Sequence, residues 1–114
     1  MPHDPGKLLH DIADAAGFIL QQTRGRSLAE YEGTRLLRDA VERNFILIGE
    51  ALSRLTRIDP ATAQALGNFP QMIAFRNIVV HGYEAIDDAI VWGIIRNEVP
   101  RLLSAARAML DKRE

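Results

Sequence analysis

The chain contains no cysteine. Disulfides and thiolate metal sites are therefore excluded, because both need the sulfur, and the absence fits a reducing compartment, so a cytoplasmic location is expected. Aromatic residues make up only 6%, with a single tryptophan, which leaves the core to aliphatic side chains. Lysine is nearly missing too: of the 14 basic residues only Lys7 and Lys112 are lysine, and all the others are arginine. Neither sign of charge is in excess, and a formal net charge of -1 excludes a protein held on nucleic acid by bulk positive charge alone. No apolar run approaches the roughly 20 residues that span a bilayer. The opening stretch to Ala15 has no basic segment leading into an apolar one, so a signal peptide is not expected.

With 114 residues, 47% of them hydrophobic and 25% charged, the composition is that of an ordered globular chain forming one domain over residues 1–114. Arginine's planar fork suits phosphate and carboxylate, although a GC-rich genome would enrich arginine equally. Apolar residues recur with period 3.6, and nothing alternates with period two over a useful length. Asp4 as N-cap and Pro5 at the first position open a helix with the stripe Leu8, Leu9, Ile12, Ala16, Ile19 and Leu20, stopped before Gly25. Ser27-Leu-Ala-Glu30 is a capping box for a short turn reaching Gly33. A long helix over about 34–57 follows, with the stripe Leu37, Val41, Phe45, Ile48, Leu52 and Leu55. Asp59-Pro60 opens a short helix that Gly67 closes, and Pro70 opens one from Gln71 to about His81, ended by Gly82. Asp87 caps the last pattern, Val91, Ile94, Ile95, Leu102, Leu103, Ala106 and Leu110, which Pro100 should kink or split. These elements predict an all-α, up-and-down bundle of four to five helices.

The stretch from Phe75 to Tyr83 carries the chemistry. It gathers Arg76, Asn77, His81 and Tyr83 at one helix end, with Ile78, Val79 and Val80 available to anchor it. Asn77 and His81 are four apart and share a face, whereas Arg76 and His81 are five apart, roughly 140° around an ideal helix. Arginine's length, fraying before Gly82, or pairing with a second copy could close that gap. The set suits metal-independent RNA cleavage, in which a 2′-hydroxyl attacks the adjacent phosphate. Such cleavage needs a proton mover, and histidine titrates in the right range. It also needs a fixed cation against phosphoryl charge, which a bidentate arginine supplies. Asn77 can hold the imidazole or a phosphate oxygen. Spacing and residue type alone fit equally well a dipole partner and a satisfied helix cap.

Arg76-Asn77-x-x-x-His81-x-Tyr83 matches the Arg-x4-His-x-Tyr signature of HEPN domains, and from Leu8 to Leu110 the chain resembles their HepT-like branch. The resemblance runs through Leu8-Leu9-His10-Asp11-Ile12, Ala40-Val41-Glu42-Arg43-Asn44, Gly49-Glu50-Ala51, Val91-Trp92 and Val99-Pro100-Arg101-Leu102. Gly82 stands where that branch often has an acidic or polar residue, and Phe69-Pro70 replaces a tryptophan-containing approach to the signature. The resemblance implies a homodimer whose two signature helices form a composite, cofactor-free RNA-cleaving site, with Arg76, Asn77 and His81 catalytic and RNA, tRNA included, as substrate. It also implies a toxin paired with an MNT-type nucleotidyltransferase antitoxin, which transfers AMP from ATP onto Tyr83. Each added AMP would bring a phosphate charge beside Arg76 and His81, in competition with RNA.

Other residues carry less. His10 and Asp14 have a spacing that can hold a metal, but no third ligand accompanies them. Glu50, among apolar neighbours, could support the signature through Arg76 or be a structural glutamate. Trp92 reads as core or dimer interface rather than a base-stacking platform. Arg35, Arg38, Arg43, Arg54 and Arg57 are spread around the long helix, free to be solvated, to pair with Asp39 and Glu42, or to line an RNA groove. The competing function is a catalytically silent helical module that docks a nucleotidyltransferase or binds nucleotide.

Overall fold

Each predicted helix start that falls on described residues is present, and side-chain caps mark four of them. The computed structural model describes residues 4–69, 71–75 and 86–113. The Asp4 carboxylate accepts the Lys7 backbone N–H at 2.8 Å, and Pro5 occupies the first turn of α1 (Pro5–Thr23). Gly25, with a φ of 72°, turns the chain through the left-handed region that glycine enters without steric cost. The Ser27 capping box closes in both directions: Oγ accepts the Glu30 N–H at 3.2 Å, and the Glu30 carboxylate accepts the Ser27 N–H at 3.0 Å. It opens α2 (Leu28–Gly33), and α3 (Arg35–Ile58) follows directly. Asp59 accepts the Thr62 N–H at 3.1 Å and caps α4 (Pro60–Leu66). Residues 71–75 are helical and are labelled α5. The Asp87 carboxylate accepts from Ala89 and Ile90 at the start of α6 (Asp88–Asn97), and α7 (Val99–Arg113) completes the bundle.

α1 lies between α3 and α7 and makes the most extensive helix–helix contacts among the described residues. All six predicted stripe residues of α3 are buried, as are those of α1 and of α6–α7 apart from the partly buried Leu20 and Leu110. Burial of these aliphatic faces, rather than intrinsic propensity, holds the helices in place. Pro100 splits the last pattern as expected: α6 stops at Asn97, Glu98 forms the joint, and α7 resumes at Val99.

The described residues hold six bounded helices besides the run 71–75, in keeping with an all-α bundle whose expected short helices and Pro100 split are counted separately. The short α2 and α4 have side-chain caps of their own, and the break before Pro100 separates α6 from α7. The all-α class stands, with no strand among the described residues. Among them, no helix is long and apolar enough to cross a membrane.

Candidate active site

Arg76, Asn77, His81 and Tyr83 lie outside the described residues, as does the predicted helix end at Gly82. The structure does describe the frame on either side of them: α5 leads into Arg76, and the Ile86–Asp88 stretch follows the signature.

The leading side is fastened at three points. Gly67 has a φ of 127°, and a Cβ there would meet the Phe69 ring at 3.1 Å. Only glycine fits this turn, which lays Phe69 against the bundle. The Phe69 ring is buried, with the Arg101 guanidinium 4.7 Å from its centroid, a cation–π arrangement. Met72 is fully buried. Phe75 meets Phe45 of α3 edge-on, ring centroids 5.0 Å apart. Glu98 itself is buried at the α6–α7 joint, and its Oε1 has no hydrogen-bond partner among the described residues. Burial pushes the Glu98 carboxyl above its ordinary range, while the charge of Arg101 pulls it back.

The trailing side rests on α2 and α3. Arg38 and Asp88 form an ion pair at 3.9 Å, and Arg38 also donates to the Glu32 carbonyl. Tyr31 is fully buried beside Trp92, ring centroids 5.5 Å apart, and its hydroxyl has no partner among the described residues. Burial, then the charges of Glu42 and Asp88, push the Tyr31 phenol upward against the opposing pull of Arg38. Glu42 is likewise raised, first by burial and then by Asp39 and Asp88. A tyrosine so placed stays neutral and acts as packing.

Glu50 is half-buried on α3 and lines a groove of about 350 Å³ with Asp11, Asp14, Asn44 and Arg54. It lies five residues past Phe45, roughly 140° around the helix from the face that meets α5. Its suggested contact with Arg76 falls outside the described residues. His10 and Asp14 are both exposed, and no group of three potential metal ligands converges among the described residues. Trp92 packs against the core, one of its two expected places. Arg35 pairs with Asp39 at 3.5 Å, and Arg43, Arg54 and Arg57 are exposed. Sequence reasoning missed Glu98, Arg101 and Tyr31. The available signal for the first two was the Pro100 break, which marks a joint where side chains leave the regular stripe.

The chain matches the family described as Ribonuclease HepT-like over residues 12–109. It is similar to the protein named "Putative RNase MJ1380" of Methanocaldococcus jannaschii, 32% identical over 101 residues, covering 87% of this chain and 90% of that protein. It is also similar to "Putative RNase TTE0752" of Caldanaerobacter subterraneus subsp. tengcongensis, 23% identical over 108 residues, with 95% and 96% covered. No solved structure gives a significant match.

Proposed function

The chain belongs to the HepT-like ribonuclease family, and on that footing we propose that it is a metal-independent endoribonuclease toxin acting as a homodimer on RNA. The observation that carries this reading is the intact order Arg76-Asn77-x-x-x-His81-x-Tyr83 in a chain matched by that family over nearly its whole length. The fastened lead-in supports it, since a catalytic group has to be held in position before it can act.

In the proposed reaction a ribose 2′-oxygen forms a bond to the neighbouring phosphorus and the bond to the 5′-oxygen breaks. The 2′-hydroxyl proton passes to a base and a proton is delivered to the departing 5′-oxygen, so the products are a 2′,3′-cyclic phosphate and a 5′-hydroxyl. His81 moves the proton, Arg76 stabilises the charge gathering on the phosphoryl oxygens, and Asn77 positions. Two protomers together form the site. Tyr83 is the control point, blocked when an MNT-type nucleotidyltransferase adds AMP and places phosphate beside Arg76 and His81. Glu50 takes a supporting role through Arg76.

The test is cleavage of bulk RNA or tRNA by purified, unmodified protein in EDTA, beside His81→Ala, with end-group analysis. Cleavage that survives chelation, disappears in the variant and leaves 2′,3′-cyclic phosphate ends is the expected result. A dimeric protein with unmodified Tyr83 that leaves RNA intact would instead favour a docking module for the nucleotidyltransferase.

A further inference from the structure

We infer that the end of α1 and the adjoining face of α7 form a track for the phosphate backbone of single-stranded RNA, lined by Arg24, Arg96 and Arg107. The link from this track to cleavage rests on the ribonuclease reading. The track itself rests on where the arginines stand.

Antiparallel packing of α1 on α7 brings these arginines together. Arg113, at the end of α7, comes within 4.0 Å of where a Cβ on Gly6 would stand. Further back, the Arg107 guanidinium lies across α1, with Nη2 3.8 Å from the Cβ position of Gly17. Pro100, at the start of α7, then faces Arg24, just past the end of α1. Two grooves meet at this corner. One, of about 560 Å³, follows α1 and is lined by Gln21, Arg24, Asn44 and Arg107, with Asp14 as the one acid among its described residues. The other, of about 300 Å³, is lined by Arg24, Arg96 and Pro100, with no acid among its described residues. Arg24 lines both, so they form one continuous surface. From Asp14 to Arg24 the chain rises about 15 Å along α1, at about 1.5 Å per residue. That is longer than a single phosphate group.

Exposed arginines commonly pair with acids or serve a helix end. Arg35, Arg38 and Arg113 do pair, whereas Arg24, Arg96 and Arg107 have no ion-pair partner among the described residues. Arg96 also suits the negative end of α6. Arg107 stands in mid-helix, and the end of α1 is already served by Arg26, whose Nε donates to the Gln22 carbonyl at 3.0 Å. Charge is sorted along α1, since the groove toward its start sets Asp11, Asp14 and Glu50 against Arg54 alone. A net charge of -1 therefore conceals a local excess of cations, each with a planar fork that matches phosphate. Cations at separate points along a surface select an anion that repeats. A flexible single strand can follow the turn from one groove into the next, whereas a stiff duplex cannot. Arg101, next after Pro100, stands over the Phe69 ring, so the line of cations ends at the approach to Arg76.

The probe is a short labelled single-stranded RNA with 2′-O-methyl riboses, which binds without being cut because the attacking hydroxyl is blocked. Fluorescence anisotropy across a salt series compares wild type, Arg24→Gln, Arg107→Gln and a triple variant that adds Arg96→Gln, with thermal melting to confirm folding. Each single substitution should flatten the slope of log K against log salt by about 0.7, the contribution of one phosphate contact on a single strand. Binding at roughly 0.1 M salt should weaken about fivefold with each, and the triple variant should flatten the slope by about 2. Arg24→Lys and Arg107→Lys keep the charge and should keep the slope. Arg43→Gln and Arg57→Gln remove equal charge from exposed positions on α3 outside both grooves and should leave it unchanged. Equal losses in these α3 controls, or an unchanged slope in the triple variant, would overturn the inference. So would competition by AMP as strong as that by unlabelled strand, which would mark a nucleotide pocket instead. Wild-type protein that binds the blocked strand with the stated arginine dependence, yet leaves unblocked RNA intact, would sink the ribonuclease reading and leave the track in place.

Discussion

Phe75 and Phe45 meet edge to face, with ring planes at 85° and centroids 5.0 Å apart. Phe75 directly precedes Arg76, and Phe45 is fully buried in the middle of α3. The contact therefore ties the approach to the signature to the buried face of α3. Edge-to-face pairs add to plain area burial, because the positive ring edge meets the negative ring face.

Phe75→Ala should accordingly cost about 3–5 kcal/mol, the range for emptying a buried aromatic position. Urea unfolding followed by far-UV circular dichroism measures it. A loss below about 1 kcal/mol, the size expected of a surface change, would show that α5 does not depend on Phe45.

Glu98 gives a pH dependence whose sign follows from its surroundings. Burial raises its carboxyl above the ordinary value of 4.5. The folded state therefore holds the proton more tightly than the unfolded chain. That contribution to stability is fully present below about 4.5 and is lost as pH rises through the folded value. Glu98→Gln has no such titration. The wild-type melting temperature should fall relative to that of Glu98→Gln as pH is raised above this point, and parallel curves up to neutral pH would refute the assignment.

Arg38 pairs with Asp88 at 3.9 Å and its charge acts on the nearby Glu42 carboxyl. Burial raises Glu42 first, and Asp39 and Asp88 raise it further against the pull of Arg38. Arg38→Ala should push the Glu42 carboxyl higher still, and Asp88→Asn should bring it down, both readable by NMR titration of the side-chain carboxyl carbon. The stability change from breaking the partly exposed Arg38–Asp88 pair itself should be small, about 0.5–1 kcal/mol. Opposite signs for the two variants are the essential result, and movement in the same direction would show that Arg38 does not face Glu42.

These relationships differ in how far the sequence announced them. Caps at Asp4, Ser27, Asp59 and Asp87 were legible because each depends on residues two or three positions away. The stripe of α3 was legible for a similar reason, since a 24-residue helix repeats its buried face many times. Tyr31 was not, because a six-residue helix shows too little of any period, and its burial depends on α6. Glu98 reads in sequence as one more polar residue before a proline, and only its place at the joint between α6 and α7 in the packed bundle buries it. Arg76, Asn77, His81 and Tyr83 were legible as a pattern of residue types whose meaning came from resemblance, since spacing alone fits a helix cap as well as a catalytic group.

The proposed control by AMP separates two jobs that Tyr83 could hold. If the phenol is only the acceptor of AMP, removing its oxygen should leave cleavage intact and abolish control. Tyr83→Phe keeps the ring and its packing while deleting the nucleophilic oxygen. Purified Tyr83→Phe should cleave RNA at close to the wild-type rate, yet gain no mass when incubated with ATP and the MNT-type nucleotidyltransferase. In cells it should stay toxic when that enzyme is co-expressed, whereas wild type is neutralised. A Tyr83→Phe protein that has lost cleavage would place the phenol within the reaction, where its proton could serve the departing 5′-oxygen. One that still takes up AMP would move the modification to another hydroxyl and break the link between Tyr83 and control.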